Sequence, residues 1–528
     1  MPYIVFTRRN HGTYARLVEA SRSGDKVRQK YICSLGRVID RDAGIFKNRE
    51  RGVFHYDNEN GFGELPEGYS VATSESDKKA PVEQTIAEPL ILDFGSSYIL
   101  DLYLKRQPFY EALSKVVPDE IDTLMSCLFY RIQNSGRASI YIEDWYSGNY
   151  VRELFPTASL SSQRLSEFMV RLGDESVQRR FFRYYLEALY GTKGSSGILI
   201  DSTGVPNATK MEVTQLSNHN DHNDEISQET RLIYVVDRSN GMPIYFRHVA
   251  GNIIDISTLR ITLAELEQYK INIDYAIMDA GYYGDENIDE LYESNIHFIA
   301  RLSPNRKLYK NLVAEHLNGL DSSANAIRYG KRLTYIKCVQ VDINNHVGYA
   351  YLGIDHDSRT QQYKRAVFTA LDDNLAPEDI DARVSKLGLF IIISSKKVET
   401  KEILPLYYTR QQVEQVFDIC KHNASLLPIR VHSEESFRGH LLLTFLATIV
   451  IQKLQRELIE KQNGKKPSKQ KLNPEGVFFV SQIQKCKVFD NIVIPQEPSK
   501  SVNDIYHALG ITSPTTLQRH VVKQSVGS

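Results

Sequence analysis

Between Gly197 and Leu302 short apolar runs alternate with amphipathic stretches of helical period, and two of the apolar runs carry an aspartate. GILIDSTGV, TRLIYVVDRS and MPIYFRHVAG have the length and branching of strands, and a Ser-Asn-Gly turn joins the last two. ISTLRITLAELEQYK spaces its apolar residues as a helix does. IDYAIMDAG is strand-like, DENIDELYESN helical and HFIARL a strand again. A tight hairpin makes its strands antiparallel, whereas a helical crossover allows parallel ones. The order therefore predicts an α/β layered domain with a mixed sheet.

The flanking sequence has other textures. Residues 1–65 alternate apolar and polar residues around turns and predict a small basic β-rich module. Residues 66–88, rich in Pro, Ser, Glu, Lys and Ala without periodicity, read as a linker. Residues 89–190 are helical in period: IDTLMSCLFYRIQ, SSQRLSEFMVRLG and VQRRFFRYYLEAL fit a helical unit that either binds DNA or only packs. The α/β core spans 191–302 and resumes at 398–455. Between them, 303–397 reads as a β-rich insertion, with YKRAVFTALDD among its strands. Residues 456–528, including NGKKPSKQKLN, read as a basic, breaker-rich C-terminal tail, made of a loop and a small terminal unit.

A length of 528 residues suggests two to four domains. The five cysteines (Cys33, Cys127, Cys338, Cys420 and Cys486) form no C-x-x-C pair. This argues against a disulfide framework or a structural zinc site and suits a reducing cytoplasm. The start, MPYIVFTRRNHGTY, lacks the apolar core of a secretory signal, and the run Leu441–Ile451 is too short to span a bilayer. A cytoplasmic, nucleoid-associated protein without a membrane partner is expected. The net charge of −1 conceals an asymmetry: residues 1–52 carry twelve Lys/Arg against five Asp/Glu, and residues 53–90 two against eight. Local clustering is what matters for phosphate binding, so the basic start is compatible with DNA.

Asp201 lies inside an apolar run, and Asp279 stands where a strand ends and a Gly-rich turn begins. A carboxylate in such a place needs a partner or a metal, although a turn or capping aspartate is the plain alternative for either one alone. The third element is LPLYYTRQQVEQVFDICKHN. At ~100° per residue Tyr407, Arg410, Glu414 and Lys421 fall within about 60° around one helix, with Val413, Val416, Ile419 and Cys420 opposite. Such a face suits phosphodiester chemistry, the acid holding a metal and the cations meeting phosphate oxygens. A solvated face with an Arg410–Glu414 pair is the bland alternative.

Three carboxylates without cysteine or paired-histidine spacing favour Mg²⁺ or Mn²⁺ over zinc. Two such ions can activate a water or a 3′-hydroxyl and stabilise the leaving oxygen. Other acids compete. Asp418 lies near Glu414 on the helix, Asp237 belongs to the hairpin turn, and Asp285 reads as a helix cap. SNHNDHND, with His219, Asp221, His222 and Asp224, has metal-like composition without firm ligand spacing.

Tyr407-(2)-Arg410-(3)-Glu414-(6)-Lys421 resembles the Y-(2)-R-(3)-E-(6)-K signature of a group of DDE transposases from bacterial insertion sequences, the insertion-sequence-four-like superfamily. LIDST resembles that family's first-aspartate strand and MDAGYYG its second. Gly251-Asn252-x-x-Asp255 and the RGHLLLTFLA helix are also similar, so the resemblance covers roughly residues 195–452. It implies a ribonuclease H-like catalytic core interrupted by a β-rich insertion. Asp201, Asp279 and Glu414 would be catalytic metal ligands for two Mg²⁺ or Mn²⁺ ions, and Tyr407, Arg410 and Lys421 would contact DNA. It further implies cut-and-paste transposition: metal-dependent cleavage at terminal inverted repeats and strand transfer into double-stranded target DNA, by a homodimer across paired ends.

One position departs from the family. Gln411 stands where tryptophan often follows the arginine, and the chain's one tryptophan, Trp145, lies in the helical region. A Tyr or Phe among residues 334–368 would then have to supply any stacking on a flipped base. Three other readings stay open. They are a ribonuclease H-like nuclease without strand transfer, a catalytically silent transposase-derived DNA-binding protein, and a metal-dependent phosphoesterase for small molecules.

Overall fold

The computed structural model describes every residue except 1, 10–11, 24–25, 67–88, 192–193, 208, 210, 217–227, 254, 373–375, 377–379, 381–383, 385–386, 463–471 and 520–528. The expected linker, apart from residue 66, lies outside the described residues, as do the SNHNDHND stretch and NGKKPSKQK. The chain divides into two units, Met1–Glu88 and Pro89–Ser528.

In the first unit six antiparallel strands follow one another: β1 (Pro2–Arg9), β2 (Gly12–Ser23), β3 (Lys26–Asp40), β4 (Ile45–Asn48), β5 (Gly52–Asp57) and β6 (Gly61–Gly63). Alternation puts Ala15, Leu17, Leu35, Phe46, Phe54 and Tyr56 on one buried face. Asp40, Asn48 and Asp57 accept backbone N–H groups two and three residues on, and so fix the turns.

The second unit opens with β7 (Leu90–Asp93) and a run of helices to Tyr190. In Ile121–Gln133 the buried Leu124, Leu128 and Ile132 recur every fourth residue, as the sequence period required. A mixed sheet follows, of β8 (Gly194–Pro206), β9 (Gln215–Leu216), β10 (Gln228–Asp237), β11 (Pro243–Ala250), β12 (Ile271–Met278), β13 (His297–Arg301), β14 (Ala326–Tyr329), β15 (Arg332–Ile343), β16 (His346–Asp355) and β17 (Leu389–Ser394). Its order is β11-β10-β8-β12-β13-β17-β16-β15-β14, with β9 beside β10. β8, β12 and β13 are parallel and the other pairs antiparallel. The hairpin predicted from Ser-Asn-Gly is β10–β11, with Asp237 accepting the Ser239 amide at 2.7 Å.

Two segments differ from their sequence reading. Of YKRAVFTALDD, expected as a strand, residues 363–372 form the end of helix His356–Asp372, and residue 373 lies outside the described residues. Its apolar residues Tyr363, Val367 and Leu371 recur at i, i+4 and i+8, which is a helical spacing. The strands of 303–397 also continue the central sheet, through β17 on β13. The 456–528 segment, read as a tail, carries the end of helix Glu434–Gln462, helices Pro474–Ser481 and Lys500–Leu509, β18 (Lys485–Val488), β19 (Ile492–Pro495) and β20 (Leu517–Gln518). β18 pairs with β7, where Lys485 forms an ion pair with Asp93.

The run Leu441–Ile451 is the middle of helix Glu434–Gln462. By length and composition that helix could cross a membrane, yet 89% of its most apolar window is buried inside the protein. Phe445 is its centre, within 5.0–6.2 Å (ring centroids) of Phe181, Phe182, Tyr185, Tyr234 and Phe246. The helix thus joins the sheet to the N-terminal helices. Gly439 sets the spacing: a Cβ there would lie 2.0 Å from the Met169 carbonyl oxygen on helix Ser162–Leu172. Gly439→Ala is therefore expected to destabilise the protein by about 1–3 kcal/mol, seen as a lower urea midpoint. An unchanged midpoint would mean that the two helices do not meet backbone to backbone.

Candidate active site

β8 and β12 run parallel, and the register pairs Met278 with Ile200. Asp279 and Asp201 each follow that pair by one residue, so adjacent strands deliver both carboxyls to one level of the sheet. Asp201 also pairs with Tyr234 of β10. Directly paired residues point to the same face, and Tyr234 meets Phe417 at 5.5 Å and Cys420 Sγ at 3.3 Å. The helix bearing Glu414 therefore covers the face on which Asp201 stands.

That helix is not the continuous one assumed from the sequence. Ile403–Tyr408 and Gln411–Asp418 are joined through Thr409 and Arg410, and the chain continues into a π-helical turn, Ile419–Asn423. The backbone stays helical at the junction, so Arg410 and Glu414 keep their i,i+4 relation. The wider π-turn ends the uniform 100° spacing before Lys421. Val413, Val416, Ile419 and Cys420 are buried, as the apolar back required.

Arg410 is the hub. Its guanidinium donates to Asp201 Oδ2 at 2.8 Å, lies 3.1 Å from Glu414 Oε1 and 3.8 Å from Asp279 Oδ2. Tyr407 is buried and its hydroxyl donates to Asp279 Oδ1 at 3.3 Å. Lys421 Nζ donates to Thr203 Oγ1 at 2.6 Å, two residues along β8 from Asp201 and so on the same face. All six residues singled out from the sequence are thus gathered at one end of the β8–β12 pair. Tyr407 is held inside the site, rather than at the surface.

The competing acids lie elsewhere. Asp418 is 74% exposed and sits 3.7 Å from His422. Asp237 holds its turn and accepts from Tyr190. Asp285 is the first helical residue, while the cap position belongs to Gly284.

A second layer went unassigned in the sequence reading. Ser202 donates to Asp255 Oδ1 at 2.5 Å, and the buried Arg231 donates to Asp255 at 3.0 Å and to Ser202 Oγ at 3.0 Å. The Ser202 amide donates to Asp201 Oδ1 at 2.9 Å. Asp255 and Arg231 thereby fix the β8 residue that orients Asp201. The Gly251-Asn252-x-x-Asp255 pattern contained half of this signal; Arg231, inside a strand, offered none.

Burial pushes the Asp201 carboxyl up to about 6; Arg410 and the Ser202 amide pull it down, while Asp279 and Asp255 push it further up. Burial opposes the charge of Arg410, but Asp279, Asp201, Tyr407 and Glu414 more than offset this and hold its pKa above the ordinary value. The site thus concentrates negative charge around one guanidinium. In kind, its donors suit a hard divalent cation: all are carboxylate oxygens, with no sulfur or imidazole among them. They are not drawn together into a cage, since among the described residues no three such groups are placed to hold a metal ion. Arg410 supplies the positive charge between them.

A folded-state carboxyl raised from 3.8 to about 6 favours folding while protonated, and that stability is lost as pH rises through about 6. Asp201→Asn should therefore gain on wild type between about pH 4 and pH 7 in EDTA, by up to roughly 3 kcal/mol at about 1.36 kcal/mol per pH unit. Urea denaturation across that range measures it. A difference independent of pH would contradict the burial cost assigned to Asp201.

Comparison with known proteins follows the same residues. No curated protein matches this chain. Among solved structures, the piggyBac transposase synaptic complex with hairpin DNA, determined by cryo-EM, is similar at 8% identity. The match covers 73% of this chain and 80% of that one at a TM-score of 0.36, a likeness too slight to carry a conclusion. Residues 192–450, the stretch that holds Asp201, Asp279, Arg410, Glu414 and Lys421, match the family model of the transposase DDE domain, and this match supports a DDE transposase acting on DNA.

Proposed function

We propose that this chain is a cut-and-paste transposase of an insertion sequence, cleaving DNA at the element's terminal inverted repeats and joining the ends to a target duplex. The observation that carries this reading is the convergence of Asp201, Asp279 and Glu414, from two parallel strands and a distant helix, on Arg410. A solvated helix face with an isolated Arg–Glu pair would not bring two aspartates from neighbouring strands to the same guanidinium. The order β11-β10-β8-β12-β13, antiparallel in its first three strands and parallel in its last three, supports a ribonuclease H-like core. The spacing of Tyr407, Arg410, Glu414 and Lys421 supports the Y-R-E-K group.

In this reading Asp201, Asp279 and Glu414 hold divalent cations, two Mg²⁺ or Mn²⁺ ions. Bound there, the cations would lower the pKa of an attacking water or 3′-hydroxyl and take up charge on the leaving oxygen. Arg410 neutralises the carboxylates and, with Lys421, faces the phosphate of the cut strand. Tyr407 is a positioning residue that holds Asp279 by a hydrogen bond from inside the core. The Arg231–Asp255–Ser202 set fixes the backbone that orients Asp201. A homodimer across paired ends belongs to the same proposal.

The test is cleavage of labelled DNA spanning the end of the source element, with Mg²⁺ or EDTA. Asp201→Asn, Asp279→Asn and Glu414→Gln should each cut at least about a thousandfold more slowly, since each removes a ligand from the centre that stabilises the transition state. Asp418→Asn should cut normally. Normal cutting by Glu414→Gln with loss in Asp418→Asn would move the third ligand one turn along the helix. End binding without cutting by wild type would favour a silent DNA-binding relic.

A further inference from the structure

Three adjoining cavities, of about 660, 850 and 570 Å³, lie beside the candidate site between the turn around Gly136 and the loop that follows the π-helical turn. All three include Gly136, and the first and third also share Arg137 and Arg430. The second reaches Lys421, which already bonds β8 beside Asp201. They form one groove leading away from the carboxylates.

Its lining is unlike the rest of the chain. The chain has 65 Asp/Glu against 64 Lys/Arg, yet no described residue lining the groove is acidic. Arg137 and Arg430 are exposed at the rim and make no ion pair among the described residues. Arg131 is buried and, among the described residues, bonds only to the Ala424 and Ser425 carbonyls, the Thr444 hydroxyl and His440. Burial holds His440 neutral near physiological pH, at about 3, and Arg131 lowers it further. Among the described residues the Arg131 charge thus has no counter-ion beside it, and it adds to the positive potential of the groove.

Flat apolar faces accompany the charge. Tyr141 is 60% exposed and Ile140 69%, large side chains whose burial would ordinarily be favourable. Trp145 lies against Tyr130 with ring centroids 5.3 Å apart, and both line the third cavity with Tyr141. Cations without carboxylates, beside the exposed Tyr141 and the half-buried Trp145, match a strand that has phosphates on one side and base faces on the other.

We propose that this groove, from Lys421 past Arg430 and Arg137 to Tyr141 and Trp145, binds the DNA strand that enters the candidate active site. The proposal rests on the transposase reading for the direction of the strand, and on the groove's own chemistry for the ligand. The arginines contact phosphates, and Tyr141 and Trp145 stack on bases independently of sequence.

The test uses the full chain and a fluorescein-labelled mixed-sequence duplex with a single-stranded 3′ extension, followed by anisotropy at several KCl concentrations. Removing two phosphate contacts in Arg137→Gln/Arg430→Gln should make the slope of log affinity against log salt shallower by roughly 1.4–1.8. Tyr141→Ala should weaken binding at least about fivefold. With 5-iodouracil in the extension, crosslinks should map to Tyr141 or Trp145. All three positions to be changed are exposed, so thermal melting should be unaltered and separates lost binding from lost folding. Wild-type binding that these variants leave intact, with crosslinks elsewhere, would overturn the groove while leaving the transposase reading standing. Failure of the wild type to bind the duplex would also overturn the groove, while cleavage at the element's own ends decides the transposase reading separately.

Discussion

The arrangement of the second unit depends on one cation among three carboxylates. Arg410 takes Asp201 and Glu414 directly and lies close to Asp279, so it partly offsets the charges of β8, β12 and the Glu414 helix at one point. Without it, Asp201 would be a largely buried carboxylate facing two others, a costly placement. The surrounding structure serves that balance. Tyr407 holds Asp279 from below, Ser202 and Asp255 hold the strand on the other side, and Lys421 anchors the far end of the helix to Thr203.

The scaffold explains how residues more than two hundred positions apart meet. A parallel β8–β12 pair sets the two aspartates level, and Tyr234, on the face of Asp201, takes both Phe417 of the Glu414 helix and Phe445 of helix Glu434–Gln462. The close approach at Gly439 ties that helix in turn to the N-terminal helices, so the groove beyond Lys421 is built from both. Proposed chemistry and proposed strand path therefore share one rigid support.

Much of the site was legible in the sequence because its signals were local. An aspartate interrupting an apolar run, twice, and a helix with charged and apolar faces can be read without knowing what packs where. The hairpin at Ser-Asn-Gly was equally local. What escaped were features whose cause lies far along the chain. Arg231 looks like an ordinary strand residue until Asp255 is brought to it. Residues 363–373 mixed apolar and polar types so evenly that their helical spacing was masked by a short strand-like run. β18 and β19 are stabilised as a sheet by β7, almost four hundred residues earlier, and no local period reports such a pairing. The groove is a further case, since Arg137 and Arg430 acquire meaning only when two distant loops adjoin.

The central claim is that Asp201, Asp279 and Glu414 serve DNA cleavage as metal ligands, beyond their role as partners of Arg410. Cysteine substitution at each position, with cleavage measured in Mg²⁺ and in Mn²⁺, tests it most directly, because a thiolate is a poor ligand for Mg²⁺ and a better one for softer ions. Cleavage should be lost in Mg²⁺ and partly restored in Mn²⁺ for the three variants. Full activity in Mg²⁺ at any of the three positions, or no difference between the metals at all of them, would contradict it.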